Sequence, residues 1–323
     1  MSERGQGRRE FLLESSAWCG ALLLPGLGAC GARPGQPRAA PAQGSNQGGR
    51  IDAHQHFWTY SAERYPWMDD SMAPLRRNFT PGQLRPELER AGVSGTVLVE
   101  ARSAVAETES LLDIARQTDF VRGVVGWLPL VEPNVGELIE RFAAEPKLRG
   151  LRHAILAEGD PEFMLREDFN RGIAQLAPRR LTYDLLLLPR HLALAPRFVD
   201  RHPEQLFVLD HLAKPLIRER QLEPWRAELR ELGRRPNVYC KLSGLVTEAD
   251  HRSWQPGDLT PYLDVALEAF SPSRLLFGSD WPVCTLATSY QRWLDTLEQW
   301  LGALSPSERQ RVLGGTALEV YRL

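Results

Sequence analysis

The sequence predicts an α/β fold closed into a (β/α)₈ TIM-type barrel, on three observations. From Arg50 onward, short apolar runs alternate with helix-length amphipathic stretches, the pattern of a parallel α/β fold. Eight such runs occur, spaced about 25 to 40 residues apart as in a closed barrel. Chemically useful polar residues fall repeatedly at the ends of those runs, where a barrel builds its active face.

The first run is Ile51 to His56. The second, Gly95 to Ala101, follows a helical stretch from Pro81 to Ala91 that stops at Gly92. The third is Arg122 to Leu130, and the fourth, Leu148 to Ile155, comes after a helix over Val135 to Ala144. Then come Leu181 to Leu188, Leu206 to His211, Val238 to Leu242 and Arg274 to Phe277. Ser307 to Leu323 reads as a closing amphipathic helix interrupted at Gly314-Gly315, with Thr316 placed to cap its second half. An open doubly wound sheet is the alternative architecture, but no Gly-rich phosphate loop follows the first run.

The first fifty residues read differently. Arg4, Arg8 and Arg9 precede an apolar run from Phe11 to Ala29, the layout of an export signal. Arg8-Arg9-Glu10-Phe11-Leu12 resembles the twin-arginine motif. Leu27-Gly28-Ala29-Cys30 resembles a bacterial lipobox, with Cys30 as the residue that would be lipidated, although Gly28 is an unusual choice there. A plain amphipathic helix is the other reading, and Glu14 within the apolar run favours it. Residues 31–49, rich in Pro, Gly, Gln and Ala, read as a flexible linker. The expected organisation is therefore a leader over 1–30, a linker over 31–49 and a barrel domain over 50–323, in an exported or envelope-anchored bacterial protein.

A net charge of -2 on 323 residues shows no basic excess of the kind nucleic-acid binding needs. Cys19, Cys30, Cys240 and Cys284 are scattered without a CxxC pair, so no disulfide framework is expected.

His54 and His56 close the first run, Glu100 the second, His153 the fourth and His211 the sixth, while Asp280 follows the eighth. Residues two apart on a strand face one side, so His54 and His56 point together into the barrel mouth and can hold a divalent ion. Asp52 shares that parity one step deeper and reads as buried structural polarity. Lys241 reads as a solvated or salt-bridged lysine, and His191, His202 and His251 as surface residues.

The segments IDAHQHFW, YPWM, RRNFTPGQL, VSGTVLVEA, VVGWLPL, LRGLRHAIL, LDHLAKP, YCKLSGLV and LLFGSDWPV resemble the amidohydrolase-related branch that contains L-fuconolactone and L-rhamnonolactone hydrolases. The resemblance covers Arg50 to Leu323 and departs at Thr316, where the branch usually has Asn. It implies a barrel of the metal-dependent hydrolase kind, with His54, His56, His211 and Asp280 in the metal-site positions and one divalent ion, zinc, bound there. Members differ in whether they need the ion. The implied reaction is hydrolysis of a sugar-acid lactone, with Asp280 as general base and the three imidazoles polarising carbonyl or water. Glu100, His153 and Lys214 are expected to bond sugar hydroxyls, and Trp58 and Trp281 to cover the ring. A metal-dependent decarboxylase or amide hydrolase on the same barrel, and an exported sugar-acid-binding lipoprotein, are the competing readings.

Overall fold

The computed structural model describes residues 49–323. The expected leader with Cys30, and the linker up to residue 48, lie outside the described residues. Eight strands form one all-parallel sheet in chain order: β1 Arg50–Gln55, β2 Val93–Val99, β3 Val121–Gly126, β4 Leu148–His153, β5 Thr182–Leu185, β6 Phe207–Leu209, β7 Val238–Leu242 and β8 Leu275–Phe277. The barrel predicted from the sequence is present. Several strands are shorter than the apolar runs that announced them, because those runs continue into buried loops at the mouth.

The ends of the sheet meet just above β8. Gln55 bridges Trp281 in parallel. The His56 N–H donates to the Trp281 carbonyl at 2.7 Å, and the Asp280 N–H to the His54 carbonyl at 2.8 Å. Closure therefore happens at the rim, with Asp280 tied directly to the first strand.

The larger helices pack outside the sheet. α1 (Pro81–Ala91) starts with Pro81 behind Thr80, whose N–H donates to the Gln83 side chain at 2.8 Å, and ends at Gly92 in the left-handed region. There follow α2 (Val105–Gln117), α3 (Val135–Ala143), α4 (Glu167–Ile173), α5 (Ala195–Asp200), α6 (Trp225–Gly233), the short α7 (Leu245–Glu248), α8 (Pro256–Phe270) and α9 (Tyr290–Leu301).

The closing segment differs from expectation. α10 (Pro306–Gln310) runs through a π-helical turn over Arg311–Gly315 into α11 (Thr316–Val320) without a break. Thr316 is helical and its hydroxyl reaches the Ser273 carbonyl at 3.4 Å, so it caps nothing. The glycine pair serves close approach instead: a Cβ on Gly314 would stand 2.4 Å from the Gly49 carbonyl oxygen. This brings Tyr321 beneath the barrel, fully buried among Ile51, Val97, Val208 and Leu276. Cys240 and Cys284 are buried free thiols.

Candidate active site

The site assembles at the C-terminal rim, from the residues that end β1 and those that follow β6 and β8. The rings of His54 and His56 converge, with their Nε2 atoms 3.1 Å apart. Asp280 adopts a left-handed backbone at φ 57°, which turns its carboxylate inward. Asp280 Oδ1 lies 3.3 Å from His56 Nε2 and 3.8 Å from His54 Nε2. Ligand atoms about 2.0–2.1 Å from a tetrahedral ion stand about 3.4 Å from one another, so these three atoms have the spacing of a divalent-ion site.

Proton positions decide whether the ring nitrogens are available. His56 Nδ1 donates to the Val99 carbonyl at 2.8 Å, which leaves a lone pair on Nε2. His54 Nδ1 is 3.2 Å from Asp210 Oδ1 and 3.2 Å from Lys241 Nζ. With its proton on Nδ1, facing Asp210, His54 offers Nε2 to an ion, at an atom that Arg152 NH1 also approaches at 3.3 Å. With the proton on Nε2, it donates to His56 instead. The donor set therefore fits a divalent ion in one tautomer of His54 and forms a closed relay in the other.

His211 stands beside this trio, outside the group of three formed by His54, His56 and Asp280. It groups with His54 and Asp210, its ring 4.4 Å from that of His54. The cause is the backbone. β6 ends at Leu209, and His211 to Lys214 all lie in the left-handed region, with φ between 53° and 56°. The Trp225 indole, donating to the Leu212 carbonyl at 2.8 Å, fixes that turn. His211 Nδ1 pairs with Ser243 Oγ at 2.8 Å. Burial pushes the His211 pKa down to about 4 against the pull of Asp280 and Asp210, so the ring is neutral at neutral pH. Burial alone would raise the Asp280 carboxyl, but the His211, His56 and His54 rings outweigh it and hold it below its ordinary value. Asp280 is ionised.

Gly244, at φ +67°, lies against His211, and a Cβ there would stand 2.5 Å from His211 Nδ1. Gly244→Ala is expected to push the imidazole out of place and to lower kcat/KM by about 10²-fold, the effect of a displacement near 1 Å. Steady-state kinetics on folded variant checks this; unchanged kcat/KM would remove His211 from the reaction.

Beneath the rim lies a buried ionic cluster that the sequence did not reveal. Arg152 Nε donates to Glu100 Oε1 at 2.8 Å, and its NH1 to Asp210 Oδ2 at 3.0 Å. Lys241 is fully buried, with Nζ 2.6 Å from Asp184 Oδ2 and 2.9 Å from Asp210 Oδ1. The Tyr321 hydroxyl donates to Asp184 Oδ2 at 2.8 Å. Lys241 is thus salt-bridged, as one sequence reading had it, but inside the barrel and against a site histidine. Its position on an inward-facing stretch of β7 was the available signal.

The remaining sequence-level assignments divide. Glu100 is buried and held by Arg152, with carboxylate capacity to spare. Lys214 is half-buried and pairs with Glu248; two ammonium protons remain. His153 has both nitrogens engaged: the Trp127 indole donates to Nδ1 at 3.0 Å, and Nε2 pairs with Glu158 at 2.6 Å. It also stacks on Phe163, so it has no free atom for a sugar and serves to hold Glu158. Trp58 is buried, with its indole donating to the Leu75 and Arg77 carbonyls. Trp281 is buried against Phe57 and Phe79. Both tryptophans are packing residues. Among the described residues the exposed large aromatic is Trp67, 40% exposed and tied by its indole to the Ala101 carbonyl at 2.9 Å, next to Glu100. Sequence reasoning missed it, although it lies in the YPWM segment.

Two further expectations are corrected. Four residues of β1, Asp52 to Gln55, lie opposite three of β2, Thr96 to Leu98, a bulge that breaks the alternation. Asp52 therefore leaves the face of His54. It is buried as expected, accepts from Ser279 N at 2.8 Å and from the Tyr290 hydroxyl at 3.1 Å, and burial raises its pKa to about 6. His191 is buried and not on the surface, its Nδ1 accepting from Leu188 N at 3.1 Å. His202 and His251 are partly buried, bonded to Asn170 and to the Thr247 carbonyl.

Fold and site together define a barrel enzyme of the metal-dependent hydrolase kind. The amidohydrolase family model matches residues 51–323, and the chain belongs to the amidohydrolase family. It is 42% identical to an L-fucono-1,5-lactonase of Burkholderia multivorans, over 85% of this chain and 96% of that enzyme. It is 38% identical to an L-fucono-1,5-lactonase of Burkholderia ambifaria, over 85% and 96% respectively. A crystal structure of a Burkholderia multivorans amidohydrolase with bound zinc superposes with a TM-score of 0.81 at 44% identity, covering 85% of this chain and 99% of that one.

Proposed function

We propose that the protein opens a small cyclic ester, a sugar-acid lactone of the L-fucono-1,5-lactone kind, by attack of water on the ring ester. The observation that carries this reading is the likeness to the Burkholderia multivorans lactonase, 42% identical and running through 96% of that enzyme. Asp280 accepts the proton of the attacking water as the carbonyl carbon becomes tetrahedral. When the ring C–O bond breaks, Asp280 returns the proton to the leaving alkoxide. A divalent ion, zinc by the likeness to the zinc-bound amidohydrolase structure, would be held by His54, His56 and Asp280 and would supply Lewis acidity to carbonyl or water. His211, with Nδ1 committed to Ser243, has Nε2 left for the ester oxygen. Glu100 and Lys214 bond the sugar hydroxyls with their spare capacity, and Trp67 covers the apolar face of the ring. The leader reading of residues 1–30 adds that the enzyme acts outside the cytoplasm, with Cys30 as its lipid attachment point.

The test is a panel of aldonolactones followed by acid release, with added zinc and with chelator. A sugar lactone should be opened with kcat/KM of about 10⁴ M⁻¹s⁻¹ or more, and chelation should lower the rate until zinc restores it. Lactones left intact while an aromatic acid loses CO₂ would replace the lactonase reading with a decarboxylase. An unchanged rate under chelation would remove the ion from the reaction and leave the lactonase standing.

A further inference from the structure

Two groups of three potential ligands share His54: one with His56 and Asp280, the other with Asp210 and His211. By spacing alone, each has room for an ion. Their electrostatic surroundings differ. Asp280 is faced by imidazoles, with His56 Nε2 3.3 Å and His54 Nε2 3.8 Å away. Asp210 is bonded by two basic side chains, Arg152 at 3.0 Å from Oδ2 and Lys241 at 2.9 Å from Oδ1, whereas the Arg152 guanidinium reaches the first group only at His54 Nε2, at 3.3 Å.

We propose that Lys241 is a resident cation filling the second of these two positions, so that the barrel mouth accepts one divalent ion and not two. The inference rests on the one-ion reading above and supplies its cause. Lys241 Nζ lies against two of the second group's three members, near both Asp210 Oδ1 and His54 Nδ1. It is anchored from below by Asp184, which Tyr321 in turn holds. Its approach to Asp210 Oδ1 is off-axis, an electrostatic contact and not an aligned hydrogen bond. An ion bound to both Asp210 Oδ1 and His54 Nδ1 would lie within about 4 Å of Nζ, and two cations that close in a dry interior repel each other strongly. Lys241, with none of its side chain exposed, has nowhere to withdraw.

The experiment is metal content and anomalous diffraction on the full chain saturated with zinc, for wild type and Lys241→Ala. Wild type should carry one ion per chain, between His54, His56 and Asp280. Lys241→Ala should carry two, the second beside Asp210 and His211. A second ion beside Asp210 in wild type would overturn the proposal. So would a folded Lys241→Ala chain without a second ion. Should Lys241→Ala not fold, wild type decides by whether the Asp210 position fills. Wild type with no ion at His54 and His56 would sink the one-ion reading instead, and Lys241 is then judged by whether its replacement lets an ion in beside Asp210.

Discussion

Asp280→Asn is expected to lower kcat by about 10³-fold, within the range that a positioned general base contributes. The amide keeps the size of the side chain, and the backbone tie from Asp280 N to the His54 carbonyl is untouched, so the rim should retain its shape. Two things are lost together. The amide cannot accept the proton of water, and the pair of imidazoles at 3.3 and 3.8 Å loses the negative charge that makes them a cation site. Zinc retention should therefore weaken alongside turnover. Kinetics and metal content measured on the same preparation separate the two losses. Full turnover in a folded Asp280→Asn chain would remove Asp280 as base.

Arg152→Met is expected to cost about 3–5 kcal/mol of stability, the usual penalty for removing one partner of a buried ion pair. Arg152 is 5% exposed and serves two carboxylates at once, Glu100 Oε1 at 2.8 Å and Asp210 Oδ2 at 3.0 Å. Methionine fills the volume but leaves both acids under-compensated in a dry interior. For a domain of this size the melting temperature should fall by about 10 °C. Arg152→Lys should recover part of the loss, because it restores charge without the planar fork that reaches both partners. A melting temperature unchanged in Arg152→Met would mean that the cluster is solvated, contrary to the burial on which the site's electrostatics rest.

The barrel was legible because its signal is repetitive. Each strand needs only a short apolar run, and the end of a run tells where chemistry can sit. The same logic found His54, His56, His211 and Asp280. What it could not read were features that depend on several strands at once. Asp52 was placed on the histidine face by counting in twos, and a single bulge opposite Thr96–Leu98 moved it off. His211 was treated as the end of a strand, whereas four consecutive left-handed residues set it beside the trio of His54, His56 and Asp280. Lys241 was taken for an ordinary solvated or salt-bridged residue, since a charge inside a barrel makes sense only when its partners, from other strands, are known. Trp58 and Trp281 were expected over the ring, but their closeness in sequence to His56 and Asp280 says nothing of exposure, and both are buried.

The most direct measurement is a crystal structure of the enzyme with the sugar acid that its own reaction releases. The carboxylate of that acid marks where the ester carbonyl stood. It should lie within hydrogen-bond reach of His56, His211 and Asp280, with the hydroxyls directed to Glu100 and Lys214. An acid bound away from this rim, with these side chains left in their present contacts, would contradict the claim that the pocket bounded by β1, β6 and β8 is where the ring opens.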